Sequence, residues 1–316
     1  VAADWKANRE HYRDLQRKSG AGILQVSPSE TLTFDAPPDE RRRAFEDRWA
    51  RGGFSLLGAF ADVNVDKQAN DEAAAFVADK IRSIVDDPDV AEHLIPKTYP
   101  VGAKRMCVDT GYYQVFNQDN VALVDLRATP IQSITPTGIR TSAHDYELDA
   151  IIYAIGFDAM TGALDRIDIS GRDGVRLKDK WAAGPVTYLG LMTSGFPNLF
   201  LITGPGSPSV LANMILAIEQ HVDWITDCID HLGARQLSVI EAMPAAEQNW
   251  VAHVNELAEQ TLYLQADSWY LGANIPGKPR VFMPYPGGLG LYRETCDEVM
   301  ANGYEGFALT GAAQTV

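Results

Sequence analysis

The feature that most constrains this chain lies at residues 198–221. Leu-Phe-Leu-Ile at 199–202 is followed by Gly-Pro-Gly-Ser-Pro-Ser at 204–209, then by Val-Leu-Ala-Asn-Met-Ile-Leu-Ala-Ile-Glu-Gln-His. The apolar run is short and partly β-branched, which predicts a strand buried on both faces. Two glycines, two prolines and two serines in six residues exclude a ladder or a helix there and let the backbone approach another molecule closely. Beyond them a helix is expected, with Ser209 as N-cap and Gly233 as its end. Leu211, Met214, Ile215, Ile218, Val222, Ile225, Ile229 and Leu232 would form its single apolar stripe. Strand, turn and helix N-terminus together can turn backbone N–H groups toward a polar cofactor or anion. The same residues also suit an ordinary strand–turn–helix connection.

With 316 residues, 46% of them apolar, the chain can build two domains with sizeable cores. Forty-two acidic against 27 basic residues give a net charge of −15, which opposes general binding to nucleic acid or an anionic membrane. An anionic ligand must therefore be held by local cations. Cys107, Cys228 and Cys296 are far apart, which indicates neither a disulfide framework nor a zinc site, and a reducing cytoplasm is the default. The six histidines show no ligand spacing, so no metal is expected. No apolar stretch reaches membrane-spanning length, and the start, Val-Ala-Ala-Asp, is neither a signal peptide nor an initiator Met.

Residues 1–98 read as charged helices over 4–18, 40–50 and 70–85, and Asp87-Pro88 restarts a short one as N-cap and first helical residue. From Pro100 the pattern turns to strands, 121–126, a hairpin over 131–141 folded at Pro136-Thr137-Gly138, and 151–156, while 186–192 is expected in the core of the last unit. Helices return near 242–264 and 292–302, and the tail from Thr310 is expected to fray. The domains expected are a helical insert at 1–98, a second unit at 99–150 and a third at 151–316.

Ser207 and Ser209 lack the G-x-S-x-G of a nucleophile elbow. Gly204-Pro-Gly206 lacks the Lys-Ser/Thr of a P-loop, and Gly20-Ala-Gly22 follows a charged helix rather than a strand, so neither is a nucleotide fingerprint. Lys104-Arg105 is sharper: two adjacent cations in a glycine-containing turn of a strongly acidic chain. They read either as a solvated pair or as a phosphate contact beside an oxyanion contact.

Three stretches resemble the C-terminal half of flavin-dependent Baeyer–Villiger monooxygenases of the phenylacetone, steroid and cyclohexanone type. The first is Pro-Lys-Thr-Tyr-Pro-Val-Gly-Ala-Lys-Arg at 96–105. The second is Ala-Ile-Gly-Phe-Asp at 154–158, similar to a segment shared by flavoproteins with two dinucleotide-binding domains, with Ile155 in place of the usual threonine. The third runs from Lys180 through Gly195-Phe-Pro-Asn, the 204–209 turn, Glu219-Gln-His, Ser268-Trp-Tyr and Asn274-Ile-Pro-Gly-Lys-Pro-Arg to Gly303-Tyr-Glu-Gly-Phe. The resemblance implies an α/β, Rossmann-like fold: 1–98 as the family's helical insert, 99–150 as the remainder of an NADP-binding domain, and 151–316 as the C-terminal part of an FAD-binding domain. The family's FAD and NADP fingerprints have no counterpart here, so the chain reads as a fragment. Its partner would be the missing N-terminal half, and alone it is expected to be inactive.

The resemblance further implies FAD and NADPH as cofactors, O₂ and a small-molecule ketone as substrates, and an ester or lactone as product by way of a flavin C4a-peroxide. Arg105 matches the family's catalytic arginine and Lys104 the residue that contacts the NADP 2′-phosphate. Trp269 matches a mobile-loop tryptophan near the nicotinamide, although a core aromatic would read the same. Gly156, Phe157, Asp158, Gly204, Pro205 and Gly206 would pass the flavin. Met214 would lie against its ring while also serving the apolar stripe. Ser209, Val210 and Leu211 would line the ketone pocket. A related flavin enzyme oxidising sulfur or nitrogen, or a non-catalytic fragment, are the alternatives.

Overall fold

Helix α1 (Ala2–Ala7) is separated from α2 (Arg9–Lys18) at Asn8, whose φ of −113° and ψ of 26° break the single helix expected there. The structure is a computed structural model, and it describes residues 2–24 and 29–311. Helix α2 runs along α9 (below), and its Arg13 pairs with Glu219. Next come α3 (Pro38–Arg51), α4 (Lys67–Ile84) and α5 (Pro88–Leu94), close to the expected spans. Asp66 caps α4 by accepting from the Ala69 amide at 2.8 Å. Asp87 caps α5 with Pro88 at its first turn, as its sequence predicts. The small core of this region is aromatic, with Phe45 5.4 Å from both Phe60 and Phe76.

Buried Asn70 on α4 fixes the turn that carries Lys104-Arg105. Its Nδ2 donates to the carbonyls of Val63 and Val101, and its Oδ1 accepts from the Val101 amide, all at 2.9 Å. Burial makes such a fully satisfied amide a specific tether, because freeing any of its groups leaves an unpaired polar atom.

The expected hairpin forms: β1 (Ile131–Thr135) pairs antiparallel with β2 (Gly138–Thr141), Thr135 opposite Gly138, and β3 (Asp145–Glu147) adds beside β2. Three other expected strands, 121–126, 151–156 and 199–202, do not form. Residues 121–126 and 151–156 have no ladder among the described residues, and Ile152, Tyr153 and Ile155 are 91%, 68% and 84% exposed. A β-branched run becomes a strand only where a neighbour supplies ladder hydrogen bonds, and none of the described segments does so. The 186–192 stretch closes on itself in a single bridge, Tyr188 to Met192. In the 199–202 run, Leu201 is buried and its amide donates to the Leu191 carbonyl at 2.7 Å, but Ile202 is half exposed and no strand forms.

After the short α6 (Leu177–Lys180), the principal core gathers between α7 (Met214–Ala234), β4 (Val239–Ala242), α8 (Pro244–Glu259), α9 (Leu289–Ala301) and β5 (Phe307–Thr310). Trp224, Cys228, Ile240, Trp250, Tyr285, Tyr292, Cys296 and Phe307 meet there. Strands β4 and β5 pair antiparallel, with Val239 opposite Thr310, so Thr310 is held; residues 312–316, where fraying is expected, lie outside the described residues.

Helix α7 departs from expectation in three ways. It begins after Asn213, whose Oδ1 accepts from the Ile215 amide at 3.1 Å; Ser209 instead opens a separate 3₁₀ turn, Ser209–Leu211. It ends at Ala234, with Gly233 inside its last turn. Its buried face is Leu216, Ala217, Gln220, His221, Trp224, Cys228 and Leu232, whereas Ile215, Val222 and Ile229 are exposed. Apolar residues occupy two faces of this helix. The face that is buried includes Gln220 and His221, and the histidine's ring nitrogens both have hydrogen-bond partners.

Candidate active site

The 204–209 turn is bound mostly to the protein itself. The Gly206 amide donates to the Met283 carbonyl at 2.7 Å and the Ser207 amide to the Gly204 carbonyl at 3.1 Å. The Ser207 carbonyl accepts from the Tyr285 amide, the Gly206 carbonyl from Trp250 Nε1, and the Pro205 carbonyl from the Thr187 hydroxyl. Two amides expected to face outward therefore face inward, because neighbouring segments offer carbonyls within reach. The glycines are required by the same crowding. At Gly206, φ is +85° and a Cβ would sit 2.8 Å from the Thr187 hydroxyl oxygen; at Gly204 it would sit 2.5 Å from the Gly190 carbonyl oxygen.

Beside the turn opens a cleft of about 380 Å³, lined by Ala159, Met160, Leu164, residues 200–204, Ser209, Val210, Met214 and Trp269. Of the residues singled out from sequence, it brings together Gly204, Ser209, Val210, Met214 and Trp269. Three of its lining residues, Met160, Thr203 and Ser209, have left-handed φ values of 67°, 53° and 44° without being glycine. Such backbone costs of order 1–3 kcal/mol per residue and tends to concentrate at ligand sites. Ser209 Oγ donates to Met160 Sδ at 3.6 Å, which also explains why this serine does not cap α7.

Arg105 stands at the lip of the cleft. Its Nη1 donates to the Val210 carbonyl at 2.7 Å, and its guanidinium lies 4.4 Å from the centre of the Phe54 ring. Lys104 Nζ lies 4.6 Å from the centre of the Tyr99 ring. Among the described residues neither cation has a salt-bridge partner, although acidic residues outnumber basic ones 42 to 27. Burial pushes the Tyr263 hydroxyl up to about 12 and raises that of Tyr270, while the charge of Arg105 acts on both in the opposite direction. Both phenols are therefore neutral around Arg105 at pH 7.

The 154–158 segment leads up to the cleft, whose lining on this stretch starts at Ala159. Ile155 and Phe157 are exposed, and Gly156 has φ +84° with no atom within 4 Å of a built Cβ, so its open side is filled by none of the described residues. Lys278, 10% exposed at its side chain, pairs with Asp158 and donates to the Ala159 carbonyl at 3.0 Å. Asn274 donates to the Phe157 carbonyl at 2.8 Å. The 272–280 loop thus fastens the segment whose next residues, Ala159 and Met160, line the cleft. Trp269 is half-buried, its ring 4.6 Å from that of Tyr270, so it serves core and cleft together.

The remaining candidates lie apart from the cleft lining. Leu211 packs with Tyr270 and Phe282. Pro205 and Gly206 lie behind the cleft, on a cavity of only about 20 Å³ beside Trp250, about the size of a single water site. Sequence reasoning missed Thr203 and Met160 as lining residues and Lys278 as the tether. Among the described residues no three His, Cys, Asp or Glu side chains group to hold a metal ion, and no helix is long and apolar enough to cross a membrane.

No protein-family model matches the chain. It is 42% identical over 320 residues to a Baeyer-Villiger monooxygenase of Pseudooceanicola batsensis, an alignment covering 99% of this chain and 57% of that protein. The structure superposes with a TM-score of 0.93 on an oxidized steroid monooxygenase bound to NADP, at 51% identity, over 98% of this chain and 58% of that one. It superposes equally, with a TM-score of 0.93 and 38% identity, on OTEMO in complex with FAD and NADP, over 98% of this chain and 57% of that one. Along nearly its whole length the chain is therefore related to the C-terminal part of Baeyer–Villiger monooxygenases. It spans a little over half the length of these relatives.

Proposed function

We propose that the chain forms the C-terminal share of an FAD- and NADPH-dependent Baeyer–Villiger monooxygenase, which inserts one oxygen atom of O₂ beside a ketone carbonyl to give an ester or lactone. The observation that carries this reading is Arg105: a permanent cation without an acidic partner among the described residues, bonded to the backbone of a residue lining the 380 Å³ cleft. Bound FAD, reduced by NADPH, supplies the activated oxygen. The chain's residues fit that group, since Gly156 offers an open backbone surface and the cleft between Met160 and Met214 is mainly apolar.

Arg105 would stabilise negative charge developing beside the ketone carbonyl, while its bond to the Val210 carbonyl keeps the guanidinium aimed. One such donor is typically worth about 10²–10³ in rate. Lys104 takes the 2′-phosphate of NADPH as a point charge. Ser209 and Val210 bound the ketone, Leu211 backs them through its packing with Tyr270 and Phe282, Trp269 covers the ketone, and the apolar lining keeps water from the reacting centre. Gly204 forms part of the wall, Pro205 and Gly206 back it, and Phe157 and Asp158 carry the chain past the flavin. The part of the polypeptide that relatives carry ahead of the matched region supplies the rest of both cofactor sites. The three cysteines, all free, suit a reducing cytoplasm.

The test uses the full polypeptide that contains this chain, loaded with FAD and given NADPH, cyclohexanone and ¹⁸O₂. The expected product is lactone carrying one ¹⁸O. NADPH oxidation that yields only hydrogen peroxide over a panel of cyclic and linear ketones would refute the reading.

A further inference from the structure

His221 on α7 is fully buried, and its two ring nitrogens have different partners. Nδ1 lies 2.9 Å from the Thr203 backbone amide. An amide can only donate, so Nδ1 accepts and the neutral ring carries its proton on Nε2. Nε2 lies 2.8 Å from the Tyr292 hydroxyl, which itself donates to the Leu189 carbonyl at 2.6 Å. The donors therefore run in one direction: Thr203 amide to His221, His221 to Tyr292, Tyr292 to the Leu189 carbonyl.

Both ends of this chain of bonds are left-handed residues, with φ of 53° at Thr203 and 58° at Leu189. Branched and bulky side chains rarely adopt that region, so something must hold it. Thr203 cannot do so with its own hydroxyl, which is spent on the Ile202 carbonyl at 2.7 Å. Thr203 lines the cleft between Ile202 and Gly204. Leu189 precedes Gly190, where a Cβ would fall 2.6 Å from the Ser207 amide nitrogen and 3.0 Å from the Gly204 carbonyl oxygen. Thr203 thus leads directly into the glycine-rich turn, and Leu189 leads into the glycine that packs against it.

We propose that His221 is a positioning residue for the cleft: as a neutral imidazole protonated on Nε2, it holds Thr203, and through Tyr292 Leu189, in left-handed backbone conformations. It thereby sets the wall formed by Ile202, Thr203 and Gly204, and with it the choice among ketones. The effect on ketone choice rests on the monooxygenase reading; the positioning does not.

The test has two arms. In the first, ¹⁵N NMR of the histidine-labelled chain should show His221 unprotonated at Nδ1 at pH 7, and hydrogen exchange is followed at Thr203 in H221N and H221Q. Asparagine places an acceptor near the former Nδ1, whereas glutamine reaches toward Tyr292 and leaves the Thr203 amide without a partner. Exchange at Thr203 should stay within about threefold of the wild type in H221N and quicken more than about tenfold in H221Q, while both lose global stability alike. A proton on Nδ1, or Thr203 exchange that merely follows global stability in both variants, would overturn the proposal. If neither variant folds, Tyr292→Phe, which keeps the Thr203 acceptor but removes the link to Leu189, should quicken exchange near Leu189 by more than about tenfold and leave Thr203 within about threefold.

In the second arm, the full FAD-loaded polypeptide carrying H221Q should shift its kcat/KM ratio for cyclohexanone over acetone by about tenfold, with flavin reduction by NADPH unchanged. An unchanged ratio beside a released Thr203 would overturn the assignment to the cleft. Absence of any ester from the wild type would refute the monooxygenase reading, and the first arm would still decide the positioning.

Discussion

Arg105 donates from Nη1 to the carbonyl of Val210 at 2.7 Å, joining residues 105 apart in sequence. Asn70 tethers the turn at one end through Val101, and Val210 receives the guanidinium at the other. The cation is thus held by backbone rather than by a carboxylate, which leaves its charge available to an anion. Replacing it by alanine in the full enzyme should leave NADPH-driven flavin reduction intact and lower ester formation by at least about 10²-fold. Lysine should restore part of the rate, because it keeps the charge but loses the fork geometry. Stopped-flow reduction together with ester yield checks both, and an alanine variant with normal ester output would remove Arg105 from the chemistry.

Lys104 lies over the face of Tyr99 and has no acidic partner among the described residues. A 2′-phosphate contact predicts that Lys104→Ala raises the KM for NADPH about tenfold or more and hardly changes that for NADH. Equal losses with both cofactors would mean that the lysine serves the turn and not the phosphate.

The helices of this chain are legible because their information is local: 3.6-residue periodicity, Asp87 as a cap and Pro88 in the first turn, although the Asp66 cap, which starts α4 at Lys67 ahead of the expected 70–85 span, is not among the expected ones. Runs such as 151–156 look like strands for an equally local reason, yet a strand needs a partner, and partners are not written in the run itself. At the site, Ser209, Val210, Met214 and Trp269 are reachable through motif resemblance, and the cleft does gather them. Met160 and Thr203 are not, since neither residue type signals a positive φ; the Thr203 amide donates to His221 and the Met160 sulfur accepts from Ser209, partners far away in sequence. The cap of α7 is ambiguous for a similar reason. Ser209 and Asn213 are both good caps, and only the third dimension shows that the serine hydroxyl is committed to Met160.

Gly206 and Gly156 share a left-handed φ but differ in surroundings, so alanine has different consequences at the two positions. Gly206→Ala must strain the backbone and press on Thr187 and Trp250, for a loss of about 2–4 kcal/mol. Gly156→Ala meets no neighbour within 4 Å and should cost only the backbone strain, about 1–2 kcal/mol. Denaturant unfolding of the chain measures both losses. In the full enzyme Gly156→Ala should nonetheless weaken FAD retention, read from the flavin-to-protein ratio after gel filtration. Full flavin content in that variant would show that the open side of Gly156 faces no cofactor.

Buried His221 also makes stability depend on pH. Burial lowers its pKa to about 4 in the folded chain, against about 6.5 when unfolded. Between these values the unfolded state binds a proton that the folded state refuses, so the contribution is complete above pH 6.5 and is lost as pH falls toward 4. A displacement of this size corresponds to about 3 kcal/mol. Protonation would also place a donor at Nδ1 against the Thr203 amide, two donors facing each other. Other groups titrate in the same window, so the quantity to measure is the difference between wild type and His221→Asn in urea unfolding at pH 7.0 and pH 4.5. The variant should lose about 2–3 kcal/mol less than the wild type over that drop. Equal losses in the two proteins would show that the ring accepts its proton in the folded state.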